Sequence, residues 1–282
     1  MAEFPKFGVL LMRLLDHRGL STSLLSQAAE VPEDELQGVI DGCHPSPTLL
    51  QALAPALDLH AADLFVMAGQ PVPDELAPLD ASAGQQLDHL VPDVICLPAE
   101  QRSWMLQMVR DLPQEPRGEA YAGWRVYDPT EAGFGAVIGN MLLTNRNLAG
   151  RAAVALACCS NGRMYVSSST VFRIAAGKTE LTPDRLANLA TLIDIPAGDL
   201  AALTGIALPD QQPPDDPAAA DVAALLWEVR RLSAAQMRLV CEQARDLRRE
   251  IPDDAIDRKF YATGSYLHSP LRGQPDGGRA QP

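Results

Sequence analysis

The chain holds 5 cysteines, 5 histidines and 36 Asp and Glu, side-chain types that do chemistry when their spacing is right. Cys43, Cys96, Cys158, Cys159 and Cys241 show no CxxC spacing, so neither a zinc site nor a dithiol pair is spelled out, and an odd count makes no disulfide framework. Such usage suits a reducing compartment and predicts a cytoplasmic protein. Cys158 and Cys159 adjoin Val154, Ala155 and Leu156; they read as small buried residues, with a redox switch as the alternative. Cys43-His44-Pro45 could be drawn as a metal or haem contact, but one tripeptide in a turn supplies too few ligands. The histidines show no two-His ligand spacing. Asp215-Asp216 and Asp253-Asp254 set carboxylates side by side, as acid–base chemistry requires, yet both pairs sit in Pro-rich loops. There is no phosphate-binding glycine loop and no nucleophile elbow. The expectation is no enzyme, no cofactor and no metal.

The net charge of −13 argues against polyanion binding by the whole surface. The charge is unevenly spread, however. Residues 1–127 carry 7 Lys and Arg against 18 Asp and Glu, a net −11, and residues 128–282 carry 16 against 18, a net −2. Any nucleic-acid face belongs in the second half. No apolar run approaches the ~18 residues of a membrane span, so no membrane partner is expected. The first nineteen residues read as an amphipathic helix, because Arg13 and Asp16 interrupt the apolar stretch and no small-residue cleavage site follows.

The elements come from the apolar pattern. Hydrophobic residues make up 47 % of the chain but aromatics only 5 %, and Ala and Leu dominate, which favours helices over strands. The chain also repeats itself. Leu50 to Gly69 matches Leu186 to Gly205 at a shift of 136 without a gap: Leu57 falls on Ile193, Asp58 on Asp194, Asp63 on Asp199. Residues 97–112 match 232–247 at a shift of 135, and Phe7-Gly8 matches Phe134-Gly135 at 127. Apolar spacings of three and four predict five short helices in each copy. Gly19 ends the first, Ser21 caps the second and Pro32 opens the third. The expected organisation is a first domain over 5–70, a linker and helical hairpin over 71–112, a linker over 113–133, a second domain over 134–207, a second linker and hairpin over 208–251, and a mobile tail over 252–282. The fold class is all-α.

Residues 167–205 run as a Ser-rich helix start, a Gly177-Lys178 turn, a Thr182-Pro183 opening and two apolar helices. This pattern resembles the XRE/Cro-type helix-turn-helix family, with a lambda-repressor-like five-helix domain. The hairpin over 221–250 is similar to that of actinobacterial EspR-like regulators, in which such a tail mediates dimerisation. The resemblance implies a transcriptional regulator that binds double-stranded DNA. Ser167, Ser168, Ser169 and Thr170 would form the leading turn of the reading helix, with Arg173 one turn later. Lys178 and Thr179 would sit near the backbone, and Arg146, Asn147 and Arg151 near a phosphate at the start of the preceding helix. The matching helix of the first copy opens with Glu33, Asp34 and Glu35, which would repel phosphates. That copy is expected to be degenerate for DNA and to serve as a scaffold or as a surface for a protein partner. The hairpins carry Trp104, Leu106, Met108, Leu226, Trp227, Leu239 and Val240, expected to pack in self-association within one chain or between two. The alternative function is a protein-interaction or antagonist module that keeps the fold without binding DNA.

Overall fold

In the computed structural model, the described residues are 4–117, 124–148, 152–153, 156–157, 166–210 and 217–252. Their regular structure is helical, with no strand among them. The first half runs α1 (Phe7–Arg18), α2 (Thr22–Ala29), α3 (Glu33–Ile40), α4 (Pro47–Ala56) and α5 (Ala61–Met67). A 3-10 turn (Ala81–Gln86) then leads to α6 (Leu87–Ile95) and α7 (Ala99–Asp111). The second half runs α8 (Pro129–Ala132), α9 (Phe134–Asn140), α10 (Ser168–Ala175), α11 (Pro183–Ile193), α12 (Ala197–Thr204), α13 (Pro217–Val229) and α14 (Ala234–Arg249). Helix α9 continues into a π-helical turn, Met141–Asn145. The short α8, capped by Asp128, falls where the sequence reads as linker. Of the helix expected over 149–159, Ala152, Ala153, Leu156 and Ala157 are helical and buried, and the rest lies outside the described residues. The tail beyond 252 lies outside them as well.

Local chemistry sets most helix ends. Ser21 and Ser46 accept hydrogen bonds from the Leu24 and Leu49 amides, and Thr182 does the same for Arg185 with Pro183 at the first helical position. Ser233 and Gln236 form a reciprocal capping box on α14. Gly19 and Gly205 close α1 and α12 in the left-handed conformation. One apolar core then runs through both halves. On α1, Leu10, Leu11, Leu14 and Leu15 are all buried, a stripe at helical spacing worth about 1.5–3 kcal/mol per side chain.

Two helix crossings are tighter than any side chain allows. A Cβ on Gly8 of α1 would stand 2.1 Å from the Val39 carbonyl oxygen of α3, and one on Gly135 of α9 would stand 2.3 Å from that of Ile174 of α10. Helix α1 therefore meets α3 at Val39, and α9 meets α10 at Ile174, backbone to backbone.

The two hairpins pair with each other inside the chain: α7 packs along α13 and α6 along α14. Met105 and Val109 on α7, Val222, Leu225, Leu226 and Val229 on α13, and Met237, Val240, Cys241 and Ala244 on α14 are all buried. Polar links tie the same surfaces together. Arg102 Nε donates to Asp221 at 2.8 Å and Arg110 Nε to Glu228 at 3.0 Å. The Asp80 carboxylate accepts from the Ala234 amide at 2.9 Å. Of the residues expected to pack here, Leu226 and Val240 are buried, and Leu106, Met108 and Trp227 are half-buried. Trp104 and Leu239 are corrected: they are 49 % and 60 % exposed. The i, i+4 stripe on α7 runs through Met105 and Val109 and turns Trp104 outward, and Met237 and Val240 do the same to Leu239.

Gly8→Ala and Gly135→Ala should each lower unfolding free energy by about 1–3 kcal/mol through backbone overpacking. In contrast, Gly38→Ala, whose new Cβ meets nothing closer than 3.9 Å, should be neutral or stabilising by up to about 1 kcal/mol. Urea melts of the three variants check the contrast.

Candidate nucleic-acid interface

Helix α10 buries Val171, Ile174 and Ala175 against α9 and turns Ser169 and Arg173 outward. No side chain caps its first turn. The Ser167 hydroxyl instead shares hydrogen bonds with those of Ser169 at 2.8 Å and Thr170 at 3.1 Å, leaving Ser168 half-exposed beside them. At the other end, Arg173 Nε donates to the Thr179 hydroxyl at 3.0 Å and its guanidinium reaches the Lys178 carbonyl at 3.4 Å. Gly177, at φ +65, makes the turn that brings these three residues together. Arg185 on α11 donates to the Glu180 carbonyl at 2.5 Å, which adds a third cation beside the turn. The result is an exposed, hydroxyl-led helix with a basic C-terminal edge, the location that the helix dipole also favours for cations.

Three residues expected at phosphates do not join this edge. Arg151 lies outside the described residues. Arg146 is 1 % exposed and is corrected from a phosphate contact to the centre of a buried ion pair. Its guanidinium meets both Asp63 oxygens at 2.9 and 2.7 Å and donates to the carbonyls of Met141 at 3.0 Å and Ile193 at 2.5 Å. Asn145 adds a bond to Asp63 at 2.8 Å, so the fully buried carboxylate is met on both oxygens and the guanidinium on both terminal nitrogens, as burial requires. Asn147 is also buried and corrected: in the left-handed conformation, it donates to the Asp80 carbonyl at 3.0 Å and accepts from Trp124 Nε1 at 3.2 Å.

The same clasp occurs with the halves exchanged. Arg18 at the end of α1 bonds both Asp199 oxygens, at 3.0 and 2.5 Å, and the Leu57 carbonyl at 2.7 Å. Thus Arg18 ties its own half's Leu57 to the other half's Asp199, while Arg146 ties its own half's Ile193 to the other half's Asp63. The Asp63/Asp199 and Leu57/Ile193 equivalences already stand in the ungapped repeat. Arg18 and Arg146 fall one residue out of the register set by Gly8 and Gly135, and the π turn at Met141–Asn145 accommodates that residue.

One contributor is not signalled by the sequence pattern. Residues 124–127 lie against α10 as an arm: the Trp124 ring packs tilted on Phe172 at 6.4 Å, and Tyr127 exchanges two 2.9 Å hydrogen bonds with Asn140. Arg125 is exposed on this arm, 5.2 Å above the Tyr127 ring. Its only sequence signal is a pair of aromatics in an otherwise linker-like stretch.

Helix α3 presents the opposite chemistry at its leading turn. Glu33, Asp34 and Glu35 are exposed, with Glu35 accepting from the Ser46 hydroxyl at 3.1 Å. Between the halves, a cleft of about 350 Å³ is lined by Asp58, His60, Asp194 and Pro196 among others. The His60 ring stacks on Trp227 at 3.4 Å, and its Nε2 lies 3.6 Å from Asp194 Oδ2. That imidazole holds the Asp194 carboxyl below the usual carboxylate range, against the opposing effect of burial.

Arg146→Ala and Asp63→Ala should each cost about 3–5 kcal/mol by stranding a buried charge, with the double variant losing less than their sum. A surface arginine contacting phosphate would move stability by only about 0.5 kcal/mol, so denaturant melts distinguish the roles. Because Asp194 titrates low when folded, its stabilising contribution is complete above the ordinary carboxylate value of about 3.9 and disappears as pH falls through the folded value. NMR titration should show its carboxyl returning toward the ordinary range in His60→Ala. The chain matches no protein-family model, no curated protein and no solved structure.

Proposed function

We propose that the chain is a DNA-binding transcriptional regulator of the XRE helix-turn-helix type, built from two diverged copies of a five-helix unit with a hairpin, and that it reads DNA through the second copy. The observation that carries the reading is the outer edge of α10, where exposed Ser169, Arg173 and Lys178 stand beside the Thr179 hydroxyl. Hydroxyls and an arginine on a protruding helix are the groups that reach base edges and phosphates in a major groove. Among the described residues, neither the first half nor the hairpins cover that edge. Duplication is supported by the matched Gly8 and Gly135 crossings and by the exchanged Arg18 and Arg146 clasps. The first copy keeps the frame but sets three carboxylates where the reader should stand, and it serves assembly. Cytoplasmic residence follows from this role and from the cysteine usage.

The test is binding of the purified full chain to a pool of genomic duplex fragments across a salt series. Sequence-selective binding that weakens with salt is expected. Arg173→Ala with Lys178→Ala should weaken it on the order of 10- to 100-fold or more, at about 1–3 kcal/mol for a base contact plus a phosphate contact. Absence of binding at low salt would overturn the proposal in favour of a protein partner for the acidic first copy.

A further inference from the structure

Resting on that reading, we infer that the DNA target of one chain is a single undivided half-site, contacted by α10 and by the arm at residues 124–127, rather than a palindrome. Three observations lead there. First, the clasps and the buried hairpin faces by which two copies of such a unit would join are engaged inside the chain, with Trp104 and Leu239 left outside. Asp63 and Asp199 are both saturated by arginines of the opposite half, and α7 and α6 are covered by α13 and α14. Among the described residues, no equivalent clasp is left for a second chain to make. Palindromic operators mirror a two-fold protein that presents two equal readers, and this pairing presents unequal ones.

Second, the two helices that would serve as readers differ in sign. The leading turn of α3 carries Glu33, Asp34 and Glu35, all exposed, so a second half-site placed under it would meet three carboxylates. Phosphate binding draws its free energy from cations that displace counterions, and this turn has none. Third, the second copy has an addition that enlarges its one contact surface. The arm is held beside α10 through Trp124 on Phe172 and through the paired Tyr127–Asn140 hydrogen bonds. Arg125 projects from it into solvent. An arginine on an extended arm flanking a reading helix reaches the adjacent backbone or minor groove, which supplies a lone reader with a contact that a two-fold partner would otherwise contribute.

The experiment is selection of random duplexes by the full-length protein at low salt, followed by native mass spectrometry of the complex and by salt titrations of wild type and Arg125→Ala. The expected result is an enriched motif without dyad symmetry, lacking a second half-site ~10 bp away centre to centre, and one chain per duplex. In Arg125→Ala the slope of log K against log salt should shrink by about 1. Because Arg125 is exposed, the variant should melt with the wild type, and a circular dichroism melt verifies this. A palindromic motif bound by two chains overturns the single half-site, and an unchanged slope overturns the arm. Failure of wild type to retain any duplex overturns the DNA reading itself, a result separate from both.

Discussion

Arg146 and Asp63 form an ion pair with almost no solvent contact, their side chains 1 % and 0 % exposed. Charges so placed are tolerable only when every strong hydrogen-bonding direction is met. Here the guanidinium serves Asp63, Met141 and Ile193 together, while Asn145 completes the carboxylate. These partners come from α5 of the first half and, in the second, from the π-helical turn after α9 and from α11, so satisfying one cation fixes where three elements sit. Trp227 of α13 lies beneath it at 5.0 Å and is also stacked by His60 and Arg230. Burial depresses the Arg230 guanidinium to about 10. The hairpin and both halves thus converge on one desolvated polar cluster, and apolar packing alone would not specify that register so sharply.

The exchanged clasp of Arg18 on Asp199 is more open, with 21 % of the arginine side chain exposed. The Asp199 carboxylate holds the Arg18 guanidinium above its ordinary value, against the opposing effect of burial. The two halves therefore share a mechanical design but differ in how dry it is. They differ more in what they show to solvent. On a common frame of close Gly crossings and arginine clasps, α3 displays carboxylates and α10 displays hydroxyls and cations. Exposed positions are free of packing constraints, so chemistry there changes while the frame persists.

Pairing of the hairpins within the chain has a simple physical basis. Each hairpin is too thin to bury its own apolar stripe, and the stripe on α7 finds that on α13, over 100 residues further along the chain. The Asp80 carboxylate and the Leu79 amide bind the Ala234 amide and the Arg230 carbonyl, which ties the second hairpin to the segment leading into the first. What the stripes leave outside, Trp104 and Leu239, is the remainder of the helical period.

Helix positions were legible in the sequence because the signals are local: Ser21 and Thr182 at helix starts, Gly19 at an end, and Leu spacings between. The acidic turn of α3 and the exposed hydroxyls and cations of α10 were legible for the same reason. Arg146 and Asn147 were not. A charge or amide near a helix start reads as solvated until the fold supplies a buried partner, and Asp63 lies over 80 residues away. The arm at Trp124 was equally hidden, since its partners Asn140, Asn147 and Phe172 come together only when α9 and α10 pack. The sequence by itself therefore determined the elements, their caps and the contrast in surface charge, all set by neighbours within a few residues. Which cations are buried, which hairpin faces pair, and that the two halves lock each other were decided only by tertiary structure, because each depends on desolvation by residues far along the chain.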